Sequence, residues 1–294
     1  MKKYKNPVIA GADPFLLRAN GKYYHYATSA PDGFKVYSSP DLAEWKEEGY
    51  CLKAGEGVMG DKGFWAPEIK YYDGKYYMVY VANEHLAVAV SDSPLGPFRC
   101  PKMKWLSEKN AIDGSYFIDD DGKIYLYYVR FDGGNIIYGA PMNDMTTLCE
   151  NQEKELLRAS LPWEKVKGNV AEGPFVIKHG GKYYLTYTAN DYISKDYAVG
   201  YAVSDSPMGP FEKYKGNPVL KRDGIYCGTG HHSFTTSPDG KNLLIVYHVH
   251  HDKNNVHPRL TCVDKAEFVA SEEKGEPDVL KINVCHGEQS VCDM

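Results

Sequence analysis

The stretch Asp73-Gly74-Lys75-Tyr76-Tyr77-Met78-Val79-Tyr80-Val81 decides how this chain is read. A glycine inside a tight turn supplies the positive φ that a hairpin needs, and an Asp or Asn before it tolerates the same region. The β-branched and aromatic run that follows suits a strand. The phrase returns as Asn20-Gly21-Lys22-Tyr23-Tyr24 and Gly180-Gly181-Lys182-Tyr183-Tyr184, and more loosely as Asp121-Gly122-Lys123-Ile124-Tyr125 and Asp239-Gly240-Lys241-Asn242-Leu243. Five copies at intervals of roughly 50 residues predict a propeller, because one small sheet cannot bury both faces and a ring of them can.

Each copy belongs to a longer unit. Tyr76 to Val81 leads through Leu86–Ser91 to Ser93-Pro94-Leu95-Gly96-Pro97-Phe98, and Tyr183 to Thr188 leads through Ala198–Ser204 to Ser206-Pro207-Met208-Gly209-Pro210-Phe211. The first copy gives Tyr23 to Thr28, Phe34 to Ser38 and Ser39-Pro40-Asp41-Leu42. The expected fold is therefore all-β, a five-bladed β-propeller of three or four strands per blade. It fills 1–294 as one domain, with about 271–294 packing on it as a C-terminal extension.

The strand before each turn lines the axial channel of a propeller. Counting back nine residues from the turn glycine reaches Trp65, Asp113, Glu172 and His231, while Asp13 stands eight before Gly21, one step out of phase. Each acid alone can be a turn former, since Asp113 precedes Gly114 and Asp13 precedes Pro14. Several like-signed carboxylates converging on one axis need a chemical reason, because burying them is unfavourable by several kcal/mol.

With these residues the chain resembles glycoside hydrolase family 43, five-bladed propeller enzymes that cut arabinosides and xylosides. The segments carrying the resemblance, in order, are Asn6-Pro7-Val8-Ile9-Ala10-Gly11-Ala12-Asp13-Pro14, Trp65-Ala66-Pro67-Glu68, Ile112-Asp113-Gly114-Ser115, Ala171-Glu172-Gly173-Pro174 and Gly228-Thr229-Gly230-His231-His232-Ser233. The resemblance runs from about Asn6 to about Phe268. It implies Asp13 as general base, Glu172 as general acid and Asp113 as the residue that tunes and orients the acid. An inverting glycosidase needs such a pair about 6.5 to 9.5 Å apart, with room for water between, and a like-charged neighbour keeps the acid protonated.

The substrate-binding candidates are Trp65, Glu68, Arg259 and His232. Trp65 suits stacking on a sugar face or a place in the core between blades. Glu68 suits a sugar hydroxyl or a blade cap. Arg259 falls where the resemblance implies a last-blade arginine pointing into the site. His231 matches a histidine the family associates with a calcium ion through water. Calcium prefers oxygen ligands, so the expectation is a hydrated structural ion and no cofactor required for chemistry. His248, His250, His251 and His257 lack cysteine partners at zinc spacing and read as a strand and a rim near the pocket.

Composition limits the partners. A net charge of −5 argues against nucleic acid or an anionic membrane surface, and no run reaches membrane-spanning length. Seven cysteines without framework spacing suggest free thiols. No apolar stretch follows Lys2 and Lys3, so the expectation is a cytoplasmic protein, with an extracellular one open if a leader has been removed. The oligomeric state is not legible. The leading function is an inverting arabinofuranosidase or β-xylosidase acting on chain ends of arabinose- or xylose-containing oligosaccharides or polysaccharides. An endo-acting arabinanase, a phosphorylase with a cationic phosphate pocket, and a non-catalytic carbohydrate-binding propeller are the alternatives.

Overall fold

In the computed structural model, which describes residues 2–290, five antiparallel sheets follow one another around an axis. Their innermost strands are Ala12–Ala19, Trp65–Tyr72, Ile112–Ile118, Ala171–His179 and Gly230–Thr236. Each hands over to a second strand through the predicted turn: Lys22–Thr28, Lys75–Ala82, Ile124–Phe131, Lys182–Ala189 and Leu243–Val249. Gly21, Gly74, Gly122, Gly181 and Gly240 sit in these turns with φ of 73°, 80°, 82°, 77° and 77°, a region that side chains disfavour. Third strands are Gly33–Ser39, His85–Ser91, Asn135–Asp144, Ala198–Ser204 and Leu260–Val269. Blades 1 and 4 add an outer strand, Lys46–Lys53 and Glu212–Lys213; blade 3 adds Thr147–Leu148 and Lys154–Arg158.

The second strands read as nearly continuous apolar runs because neighbouring blades cover both of their faces. Five apolar cores result, one between each adjacent pair. Phe34, Phe64 and Tyr80 interlock between blades 1 and 2, and Tyr187 lies with Tyr127 and Val129 between blades 3 and 4. The repeated Ser-Pro-x-Gly-Pro-Phe phrase has a packing role. Pro94 and Pro207 carbonyls accept the hydroxyls of Tyr26 and Tyr127 from the preceding blade, which would otherwise be buried without a partner.

Both chain ends close the ring. Ile9–Ala10 pairs with Leu260 and Thr261 at the start of the third strand of blade 5, and Val279–Asn283 pairs along its remainder. Tyr4–Lys5 pairs with Glu288–Gln289. The Asn6 amide grips Val263 in both directions, donating to its carbonyl at 3.0 Å and accepting from its N–H at 2.8 Å. The segment after Ser271 thus completes blade 5; its last residues, 291–294, lie outside the described ones.

Every inner strand carries the same irregularity near its start. The pairing shifts between Ala12 and Phe15, Trp65 and Glu68, Ile112 and Ser115, Glu172 and Phe175, and Gly230 and Ser233. The residue inside each bulge has left-handed φ: Asp13 at 52°, Ala66 at 43°, Asp113 at 56°, Gly173 at 54° and His231 at 42°. This corrects the phase read from the sequence. Asp13, Asp113 and His231 are the equivalent positions, whereas Trp65 and Glu172 stand one residue earlier. The turn-to-strand distance misleads because strand length varies, while the bulge that re-aims the side chain does not.

Candidate active site

The bulges turn their residues toward the axis at the end where the inner strands begin. There the backbone bridges neighbouring blades. The N–H of Asp13 goes to His248 Nδ1 at 3.2 Å, that of Ala66 to Thr28 Oγ1 at 3.0 Å, and that of His231 to Thr188 Oγ1 at 3.0 Å. His248, Thr28 and Thr188 occupy matching places on second strands, opposite Gly230, Ala12 and Glu172. In blade 3 that place is Val129, which has no acceptor, and the N–H of Gly173 instead donates to Asp113 Oδ2 at 3.1 Å. Asp113 is therefore tied to the residue that follows Glu172.

Asp13 lies in a cationic cradle. Arg259 Nη1 donates to its Oδ1 at 2.7 Å, and Thr28 Oγ1 to its Oδ2 at 2.7 Å. Because Thr28 already accepts the N–H of Ala66, its own hydrogen is left for Asp13. His231 Nδ1 stands 3.4 Å from Asp13 Oδ1 and 4.0 Å from Asp113 Oδ2. Burial would raise the Asp13 carboxyl, but Arg259 first, then His231, His248 and the Thr28 hydrogen bond, hold it well below the usual carboxylate range. His248 is buried and, through that burial and the nearby Arg259 charge, kept neutral, so it contributes a dipole and Arg259 the charge. The Arg259 guanidinium is itself sandwiched by Tyr192, whose ring lies 4.7 Å away.

Glu172 is treated in the opposite way. Burial and then the Asp113 charge raise its carboxyl. Burial and then Asp13 raise that of Asp113. The two oxygens of Glu172 accept from Tyr197, whose hydroxyl is 2.7 Å from Oε1, and from Asn135, whose Nδ2 is 2.8 Å from Oε2. The site thus holds Asp13 fixed as an anion and a neighbouring pair, Asp113 and Glu172, whose carboxyls are both raised so that the pair favours keeping a proton, the division of labour that proton-coupled bond cleavage requires.

The remaining sequence candidates fall in different places. Trp65 is at the rim, 38% exposed, with its ring beside Gly63. Arg259 enters the site as expected. Glu68 is buried, accepts the N–H of Tyr116 at 2.8 Å, and is pushed up to about 7 by burial, so it straps blade 2 to blade 3 below the site. His232 does not face substrate. It is buried with Nε2 2.7 Å from Thr186 Oγ1 and Nδ1 3.3 Å from Thr188 Oγ1, because alternation along the strand turns it away from its neighbour His231. His250 supports the rim, its Nε2 2.8 Å from the carbonyl of Tyr192. Sequence reasoning missed Thr28, Asn135, Tyr197 and the placement of His248. Thr28 and His248 had a signal, a polar residue at or near the end of an apolar second strand; Asn135 and Tyr197 had none.

Below the carboxylates Glu68, Asp113, His231 and His232 line an axial cavity of about 30 Å³, room for a water molecule. Among the described residues no three His, Cys, Asp or Glu side chains come together as a metal-holding group. His231 Nδ1 is turned to the two aspartates, so these residues do not fit a directly ligated calcium ion. A separate cleft of about 660 Å³ between blade 4 and the 270–278 hairpin contains none of the site carboxylates.

A ring of five blades with carboxylates of opposed ionisation on its axis defines a carbohydrate-cleaving propeller. The profile of glycosyl hydrolases family 43 matches residues 4–273, and the chain belongs to that family. It is a glycoside hydrolase. The crystal structure of an endo-1,4-β-xylanase from Bacteroides thetaiotaomicron superposes with a TM-score of 0.88 at 40% identity, covering 95% of this chain and 96% of that one. A β-D-galactofuranosidase, xynD, from Aspergillus niger is 28% identical over 96% of this chain and 86% of its own length. An extracellular exo-α-(1→5)-L-arabinofuranosidase from Streptomyces avermitilis is 29% identical over 83% of this chain, which spans 56% of that protein.

Proposed function

We propose that the protein is an inverting exo-glycosidase that releases terminal α-L-arabinofuranosyl or β-D-xylosyl residues from plant cell-wall polysaccharides or their oligosaccharides. Asp13 is the general base, Glu172 the general acid and Asp113 the residue that keeps the acid protonated. Asp13 takes a proton from water as the water oxygen bonds to the anomeric carbon. The glycosidic bond breaks, and Glu172 delivers its proton to the leaving oxygen. The observation that carries the reading is the opposed ionisation of two buried carboxyls on different blades. Asp13 is paired with Arg259 at 2.7 Å, and Glu172 is raised by burial and Asp113.

Supporting the exo reading are the long connection 54–64, which leads straight into the inner strand of blade 2, and the exposed Trp65 at its end, which together would wall off one side of the pocket. The relatives named above for furanoside and xylan cleavage support a pentose or other furanosyl substrate. A phosphorylase is disfavoured because Arg259, its candidate phosphate ligand, is committed to Asp13. A hydrated calcium ion, if held, is structural in this scheme, and no step passes through it.

The test is hydrolysis of aryl α-L-arabinofuranoside, aryl β-D-xyloside and linear arabinan, with and without phosphate, following the first-formed anomer by NMR. Inverted product and release of single sugars are expected. A retained anomer refutes the assignment of Asp13 as base, early internal cleavage of arabinan replaces the exo reading with the endo one, and a strict need for phosphate replaces hydrolysis with phosphorolysis.

A further inference from the structure

The acid Glu172 is held by two hydrogen-bond donors from two blades, and the fold clears space for one of them. Tyr197, in the hairpin between the second and third strands of blade 4, is fully buried. Its ring stacks on His248 at 5.5 Å with 13° between planes, and its hydroxyl reaches Glu172 Oε1 at 2.7 Å. A Cβ on Gly230 would stand 2.5 Å from that ring and 2.4 Å from the Thr188 methyl. The glycine before His231 is thus the opening that Tyr197 occupies. Asn135 comes from the corresponding hairpin of blade 3. Its backbone N–H is anchored on the Asn169 carbonyl at 2.9 Å, which aims Nδ2 at Glu172 Oε2, 2.8 Å away.

We propose that Tyr197 and Asn135 are positioning residues that set the strength and the direction of the acid, with Oε2 as the oxygen that delivers the proton. The proposal rests on the assignment of Glu172 as general acid. Oε1 is sealed in the interior by the phenol. Oε2 faces Asn135, which is partly exposed at the rim. A carboxyl protonated on Oε2 can donate to the leaving oxygen and still accept the amide N–H on a lone pair, so neither donor moves during transfer. Both donors gain strength as negative charge grows on Glu172, which favours the transition state over the ground state. Each opposes the burial and the Asp113 charge that raise this carboxyl. Without either donor the carboxyl rises further: the enzyme stays protonated to higher pH and becomes a weaker acid.

The experiment compares Tyr197→Phe and Asn135→Ala with wild type, on methyl and 2,4-dinitrophenyl glycosides of whichever sugar the wild type cleaves. Profiles of kcat/KM against pH are recorded for each. The expected result is a basic limb displaced upward by about one pH unit in each variant. The loss of kcat on the methyl glycoside should exceed that on the dinitrophenyl glycoside by about tenfold, since the latter needs little protonation. A limb that stays or moves down, or equal losses on both substrates, overturns the proposal. If Tyr197→Phe does not fold, Asn135→Ala at the rim decides alone. Wild-type protein that cleaves no glycoside would instead sink the assignment of function on which the proposal stands.

Discussion

Replacing Arg259 by Gln tests the base most directly. The guanidinium is 2.7 Å from Asp13 Oδ1 in a site where both side chains are only 10% exposed. A neighbouring arginine lowers an aspartate by about one to three units, and burial pulls the other way. With the charge gone, burial and the Asp113 carboxyl next door are opposed only by Thr28 and the histidines. The Asp13 carboxyl is then expected to rise from well below the ordinary aspartate range, because its largest stabilising charge is gone. Wild-type activity should show no acid limb from Asp13 before the protein unfolds. The variant should show an acid limb displaced upward by about one to three pH units, the size of the arginine effect removed, and lose activity as pH falls from 7 to 4. Stability follows the same sign. The depressed wild-type carboxyl contributes stability that is present above its unfolded value of about 3.9 and lost as pH falls through the folded one. In the variant the unpaired buried carboxylate costs about 3–5 kcal/mol at neutral pH, and protonation relieves it. The gap in urea midpoint between the two proteins should therefore narrow toward pH 4. Rates should be read on an aryl glycoside, with recovery after a jump back to pH 7. An unchanged acid side in a folded, active variant refutes the reasoning.

Other outcomes are as specific. Asp113→Asn removes a negative neighbour from Glu172, so the basic limb of the pH profile should move down, opposite to the Tyr197→Phe shift. Thr28→Val strips a donor from Asp13 and the acceptor from the buried Ala66 N–H; a loss of about 1–3 kcal/mol in urea melts is expected, and Thr28→Ser should recover most of it. Gly230→Ala should destabilise by about 1–3 kcal/mol and lower turnover, because the new methyl meets the Tyr197 ring and the Thr188 methyl. Chelator treatment should leave turnover on a small aryl glycoside unchanged; loss of turnover in folded protein, restored by calcium, would contradict a purely structural role for any ion.

The turns and inner strands were legible because a glycine at positive φ followed by an aromatic run has few other uses. The phase of the inner strands was not, since the bulge that aims Asp13 and Asp113 leaves no composition mark and is occupied by Ala66 and Gly173 in other blades. His232, proposed from the sequence as a substrate contact, is instead buried against Thr186 and Thr188 of blade 4. Asn135 and Tyr197 come from hairpins whose approach to Glu172 exists only once blades 3 and 4 are side by side, so no local pattern announces them. Arg259 was found through resemblance, and the structure supplies its physical reason, an ion pair with Asp13.

That ion pair spans 246 residues of chain and sits across the join where the ring is closed. Gly11, two residues before Asp13, donates its N–H to the carbonyl of Arg259 at 3.0 Å, and the next residues on each side, Ala10 and Leu260, are paired. The innermost strand of blade 1 therefore waits for the third strand of blade 5 before its aspartate has a counter-ion. In the proposed mechanism a chain lacking its final blade would hold no counter-ion for its base. Parting of this one seam would remove that counter-ion while the four other junctions stay intact, so activity would report the completeness of the circle.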